Sequence, residues 1–477
     1  MGLTLVALVY LAIPNLIFIF GWFRLPVALV LFAAMGVFMH GLFHLRPNEL
    51  HRTHSIRFVM LIGATALAWA AFGGGSHFMY ANHDWVIRDA VLGDLVRAEW
   101  PVTYKAPDGT VLTLRSAIGY FLPPALFAKA FGISHLGIAV YLWTAAGLLI
   151  FLLMLPLPQH GRWRLAMALV TVVFFSGMDF LGVVIATQSL PIFPLRLEWW
   201  GPLSYPSLTG QLLWAPNHCL PIWIGTLMIL RHRSTRELVP ISIALLPITL
   251  IWTPFAAVGL VPFAILGTWR VVLRAGWKDF PWRSAFAGSV FSTLVALFLL
   301  SDIGGIGFPS ASTSTHAIQA ASVAHLPVSK TSYSIFVSCE FLLLAIALAA
   351  HVREARDFFA LSVLILLLLP ALSLGPSNDL LLRLSSPPLV VLLVVCLQTL
   401  IGLDRKPYPT TLWIAWGFLA IGSHTAFNEL WRAATFQRWS ANYGVSLAER
   451  QGGRPDAHYA GNMETSPAWK LLKFPAN

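Results

Sequence analysis

Apolar runs of roughly 17 to 25 residues, the length that crosses a hydrocarbon core, recur from end to end of this sequence. They fall near 3–22, 25–44, 58–75, 134–157, 165–187, 212–230, 238–252, 254–272, 285–301, 335–351, 358–373, 387–402 and 409–428. On the length rule this makes about thirteen candidate spans. Composition excludes a soluble fold: of 477 residues, 57% are hydrophobic and 11% charged, whereas globular chains carry roughly 25% charged residues. The expected class is all-α, a polytopic transmembrane helical bundle. The first run, Gly2 to Phe23, has no basic residue before it and no small-residue cleavage site after it, so it reads as a retained span.

The connecting segments divide into two kinds. Arg46/Arg52/Arg57, Arg162/Arg164, Arg231/Arg233/Arg236, Arg270/Arg274/Lys278/Arg283, Arg353/Arg356 and Arg405/Lys406 mark short basic loops, which the positive-inside rule places in the cytoplasm. Longer segments at 76–115, 188–211, 302–334, 374–386 and 432–477 then lie outside and hold most of the unburied carboxylates. The N-terminus is expected inside and the C-terminus outside. Trp252-Thr253-Pro254 reads as a turn between two short helices, because one helix over 238–272 would export Arg270, Arg274 and Lys278. The expected organisation is a helical domain over 1–430 and a short external tail over 431–477. Segment 117–132, with Pro123-Pro124, is short for a span and reads as interfacial or re-entrant.

The formal charge of +11 does not point to nucleic acid, since the basic residues are dispersed among loops as membrane topology requires. Cys219, Cys339 and Cys396 lie in or beside apolar runs without metal-site spacing and read as small hydrophobes. No P-loop, dinucleotide fingerprint, HExxH or GxSxG is present.

Chemistry concentrates in the first long external loop. Its segment Ala81-Asn82-His83-Asp84-Trp85-Val86-Ile87-Arg88-Asp89 follows the third run directly, so its carboxylates belong near the membrane surface, where a lipid-linked substrate presents its phosphate. Val86, Ala90, Leu92, Leu95 and Val96 allow a short interfacial helix with Asp84 at its N-terminal end. A base there can take a proton from an acceptor hydroxyl while a sugar leaves its phosphate.

His83-Asp84, with Asp89, Asp94 and Glu99-Trp100-Pro101-Val102 following, resembles the first-loop pattern of the GT-C superfamily of polytopic glycosyltransferases. Arg196-Leu197-Glu198-Trp199-Trp200, Trp214-Ala215-Pro216-Asn217-His218 and Ser377-Asn378-Asp379-Leu380-Leu381-Leu382-Arg383 are similar to segments of bacterial proteins grouped there. The resemblance implies a sugar transferase of the bacterial inner membrane, active on its periplasmic side. It implies a polyprenyl-phosphate-linked sugar donor, a glycan or lipid acceptor and contact with membrane lipid. Asp84 would be the base, with Asp89 or Asp94 as substitutes, and Arg383 would meet the donor phosphate through its bidentate fork. His83, Arg88, Asp179, Glu198, Trp199, His218 and Asp379 complete the implied substrate-binding set. The cofactor is left unknown: a divalent metal is compatible with the chemistry, but no residue cluster calls for one.

Plainer readings stand beside these. Loop carboxylates are usually solvated charges, and Arg383 has Asp379 four residues away as a helical partner. Asp179 and Glu340 lie within apolar runs, where an ionisable group marks either a function or a structural hydrogen bond. His40, His44, His51 and His54 near Glu49 have helical spacing but are ordinary at a headgroup boundary. Trp199, Trp200, Trp214, Trp223, Trp277 and Trp282 suit interfacial belts, with sugar stacking as the alternative for Trp199 or Trp200. Two rival functions remain. A transporter or flippase of lipid-linked glycan needs mid-membrane charge, offered by Asp179 and Glu340. A surface-polysaccharide polymerase or ligase needs an arginine-rich loop, and 302–334 has His316, His325 and Lys330 but no arginine.

Overall fold

The computed structural model describes residues 2–42, 55–191, 197–198, 203–302, 329–372, 378–402, 409–464 and 467–473. Helices occupy every apolar run. Among the described residues six helices are long and apolar enough to cross a membrane: Leu3–Trp22, Ile133–Met154, Pro254–Arg274, Trp282–Leu299, Lys330–Ala349 and Asp379–Ile401. Leu25–His40, Ile56–Phe72 and Leu238–Thr249 are apolar but shorter. The chain is a mainly helical, membrane-embedded protein.

Local chemistry sets several helix starts. Pro216 and Pro254 stand in the first turns of Pro216–His232 and Pro254–Ala275, where a missing N–H and a fixed φ suit the first turn. Thr253 is extended (φ −172°) before the second of these, so 238–272 is two helices meeting at the expected turn. The side chains of Ser55 and Ser207 accept from Phe58 and Gly210 backbone N–H groups, capping two more starts.

The run at 165–187 is interrupted. Helices Arg162–Val173 and Asp179–Thr187 flank a non-helical stretch at 174–178. Its freed backbone groups are satisfied by neighbours, as membrane burial demands: Met178 N–H donates to Cys339 (3.0 Å) and Phe175 C=O accepts from Leu208 (3.2 Å). Cys339 sits in a wide helical turn, Ser338–Leu342, inserted into the facing helix.

Ion pairs join three of the basic loops, at 231–236, 270–283 and 353–357, at one end of the bundle, while Arg46, Arg52, Arg405 and Lys406 lie outside the described residues. Arg233 meets Glu354 at 2.5 Å, Arg236 meets Asp279 at 3.6 Å, and Arg270 pairs with Asp357. The 22 residues of Pro254–Ala275 rise about 33 Å at ~1.5 Å each, so Thr253 stands at the opposite end.

At that opposite end the interfacial helix, Asp84–Arg97, begins at the expected residue. It does not lie bare on lipid: Trp85 and Asp89 to Leu95 are buried, because the C-terminal segment covers it. The last long helix, Thr410–Thr435, runs past the expected boundary at 430, and the remainder forms a strap over the loops at this end. Leu447 N–H donates to Asp94 (2.8 Å), and Trp439 Nε1 to Ala81 C=O (2.9 Å). Strands β1 (Thr103–Lys105) and β2 (Val111–Leu114) form an antiparallel pair, and β3 (Ala460–Gly461) joins β2 with Thr113 opposite Gly461. The strap then reaches the first helical hairpin, where Lys473 N–H donates to Trp22 C=O (2.8 Å) and Arg24 N–H to Leu471 C=O (3.0 Å). This small sheet is the departure from an all-helical expectation.

Candidate functional site

The end opposite the basic loops holds a compact charge cluster drawn from four parts of the chain. Asp84 and Arg88, one helical turn apart, pair at 3.1 Å. Arg88 also donates to Trp214 C=O and lies over the Trp85 ring, 5.2 Å from its centre. Asp379 and Arg383 form a second i,i+4 pair on the helix Asp379–Leu384, held at 3.7 Å. The Arg383 guanidinium feels the charges of Asp379, Arg88 and Asp84 together, so the two pairs share one electrostatic neighbourhood. His218 joins them: it feels both arginines, and its Nδ1 lies 2.7 Å from Thr253 Oγ1.

Burial gives this cluster a sign. The arginine side chains are 11% and 15% exposed, whereas the carboxylates of Asp84 and Asp379 are 46% and 50% exposed. Water screens the outer carboxylates far more than the inner guanidinium groups. The interior face is therefore electropositive although the formal charges balance. Arg383 also has donor capacity to spare: its separation from Asp379 exceeds hydrogen-bond length. Its buried Nε has no hydrogen-bond partner among the described residues. Two guanidinium groups in one electrostatic neighbourhood, one of them paired with the half-exposed Asp84, can hold an oxyanion and take up a proton from a nearby hydroxyl.

Asp89 and Asp94 have other engagements. Asp94 accepts from Arg97 (2.8 Å), the Tyr104 hydroxyl (3.0 Å) and Leu447 N–H (2.8 Å), fastening the interfacial helix to the strap. Asp89 pairs with His77 at 2.9 Å, whose ring packs edge-on to Trp439. Burial pushes the Asp89 carboxyl above its ordinary value, opposed by the hydrogen bond and charge of His77 and by the charges of Arg88 and Arg450; Tyr443 also faces it. A carboxyl raised in the fold contributes stability below its unfolded value, about 3.9, and loses it as pH rises through the folded value. Asp89→Asn removes that loss. In thermal unfolding scans from about pH 4 to 7, spanning the carboxyl range, the wild-type midpoint is expected to drop relative to the variant as pH rises. Parallel curves would refute the assignment.

Asp179, Glu198 and Glu340 form a separate acidic group inside the bundle. Asp179 is fully buried and accepts from Thr425 Oγ1 (2.9 Å) and Ser176 Oγ (3.3 Å). Glu340 is buried beside it, with Gly177 packed against its carboxylate. Glu198 accepts from Ser207 N–H at 3.0 Å and packs on Gly210, where a Cβ would come within 2.3 Å of its carboxylate. These residues are not drawn together with Asp84 and Arg383. His83 is exposed at the start of the interfacial helix. Trp199 and Trp200 lie outside the described residues, as do His44, Glu49, His51, His54, His316 and His325. Among the described residues no group of three or more His, Cys, Asp or Glu is arranged to hold a metal ion.

Two contributors were not legible as site residues. Thr253 reads from the sequence only as a turn, and its hydroxyl orients His218. Tyr459, from the strap, feels Arg88, Asp84 and Asp379, and the only sequence signal near it is the turn-rich Gly452-Gly453-Arg454-Pro455. No family model matches the chain, and comparison with curated proteins and with solved structures finds no match.

Proposed function

We propose that the chain is a GT-C-like membrane glycosyltransferase of about thirteen spans, on the length rule, that moves a sugar from a polyprenyl-phosphate donor to an acceptor. In this reading it sits in the bacterial inner membrane with its site on the periplasmic side. Arg383 and Arg88 hold the donor phosphate, and Asp84 takes the acceptor proton. The observation that carries the reading is that Asp84, Arg88 and Arg383, nearly 300 residues apart in sequence, meet in one electropositive cluster away from the basic loops. The test is a titration of the full chain in nanodiscs with undecaprenyl phosphate, read by tryptophan fluorescence, with undecaprenol as the control. Arg383→Gln is expected to weaken phosphate-lipid binding about tenfold or more, the usual loss for a charge-assisted hydrogen bond. If the wild type takes up phosphate lipid and undecaprenol equally, the phosphate clamp is wrong.

The interrupted helix at 174–178, with buried Asp179 and Glu340 beside it, favours a second reading as a transporter or flippase of lipid-linked glycan, since such breaks and intramembrane acids mark substrate paths. Reconstituted vesicles that translocate the lipid-linked sugar without transferring it would select that reading over the first.

A further inference from the structure

We propose that a cavity at the basic-loop end of the bundle holds an acyl chain of an anionic phospholipid, with the phosphate of that lipid on Arg231 and Arg233. The cavity lies at the end opposite the charge cluster, so the inference does not rest on the sugar-transfer reading.

The cavity, about 230 Å³, forms where three helices reach this end: Leu3–Trp22 begins here, and Ile133–Met154 and Pro216–His232 finish here. Its wall includes Leu3, Leu153, Leu157, Leu227 and Val394. Leucine and valine side chains offer water no hydrogen-bond partner, and apolar cavities of this kind take apolar guests. For a membrane-embedded bundle the apolar guest at hand is an acyl chain.

The polar part of the lining is cationic. Arg231 and Arg233, at the end of Pro216–His232, both line the cavity. Arg231 donates from Nη1 to Met154 C=O (3.1 Å), and Arg233 from Nη1 to Leu230 C=O (2.9 Å), so both guanidinium groups have a fixed place. Arg233 also meets Glu354, but the arginine is 22% exposed and the glutamate 64%. Water screens the outer carboxylate more than the inner guanidinium, which leaves the lining positive. A guanidinium carries more N–H groups than these bonds use, so Arg233 retains donors for a phosphate oxygen. Gln398 adds a carboxamide from the wide helical turn Leu397–Ile401, a local expansion of the type found at functional sites. An apolar slot below two arginines fits an anionic phospholipid at both its ends, as basic pockets between membrane helices do.

The test is a titration of the full chain in detergent, followed by native mass spectrometry. The probes are phosphatidylglycerol, phosphatidylcholine with the same acyl chains, and glycerol phosphate. Phosphatidylglycerol is expected to bind most tightly, and Arg233→Gln to weaken it about fivefold, the weight of one basic residue near an anionic headgroup. Because that variant also breaks the pair with Glu354, Glu354→Gln is its companion: it breaks the same pair, keeps the arginine and is expected to bind phosphatidylglycerol at least as tightly as the wild type. Equal weakening in the two variants overturns the proposal and makes the ion pair structural. Wild-type affinity in Arg233→Gln places the lipid elsewhere and overturns it too. Equal binding of the two phospholipids removes the headgroup contact, and glycerol phosphate binding as tightly as the whole lipid removes the acyl chain; either result sinks the assignment.

Discussion

Asp84→Asn is expected to lower sugar transfer by about 10²–10⁴-fold, the range for loss of a positioned general base, without changing donor-lipid affinity or the thermal midpoint. Asp84 occupies the first turn of Asp84–Arg97. It is half exposed, so an acceptor can reach it from water while Arg88 fixes its direction. The amide retains a hydrogen-bond acceptor for Arg88 but cannot take a proton. The ion pair it replaces is partly exposed and contributes only about 0–1 kcal/mol, so the fold survives. The measurement is labelled sugar transferred to membrane acceptors by vesicles of equal protein content. A rate indistinguishable from the wild type would discard Asp84 as the base.

Gly422→Val is expected to destabilise the bundle by about 1–3 kcal/mol, the usual penalty for overpacking, and to lower the detergent unfolding midpoint. A Cβ at 422 would lie 2.5 Å from Ser176 O and 2.9 Å from Gly177 O. Both are backbone oxygens of the interrupted helix and cannot swing aside as a flexible side chain would. Small residues permit such close approach between helices in lipid. The displaced segment also orients Asp179 toward Thr425, on the same helix as Gly422, so strain reaches a buried hydrogen bond. The internal control is Gly417→Val on that helix, where an added Cβ meets nothing within 4 Å. Equal midpoints for the two valine variants would show that the contact is not tight.

Much of this architecture is legible because burial in lipid imposes a single demand, uninterrupted apolar length, which each run displays. Pro254 and Pro216 add punctuation that fixes two starts locally. The interruption at 174–178 is not legible, since Ser176, Gly177 and Asp179 in an otherwise apolar run do not by themselves end a helix and the cause is tertiary: Gly177, Gly422 and Glu340 arrive from three regions. Asp84 is readable because its helix begins there. Asp89 and Asp94 look alike in sequence, and only the strap distinguishes them by supplying Trp439 beside His77 and Leu447 to Asp94. Tyr459 is hidden for the same reason, since the strand that places it is two residues long and forms only against β2.

The pairing of β2 with β3 has a consequence for biosynthesis. The loop that carries β2 leaves the ribosome early, yet its partner is made only after the last long helix, so a chain inserted up to that helix has its helices in place and an unfinished rim. Closure of the rim would then serve as a built-in check on complete translation, and products stalled short of the strap would accumulate as inserted protein with the helix Asp84–Arg97 uncovered.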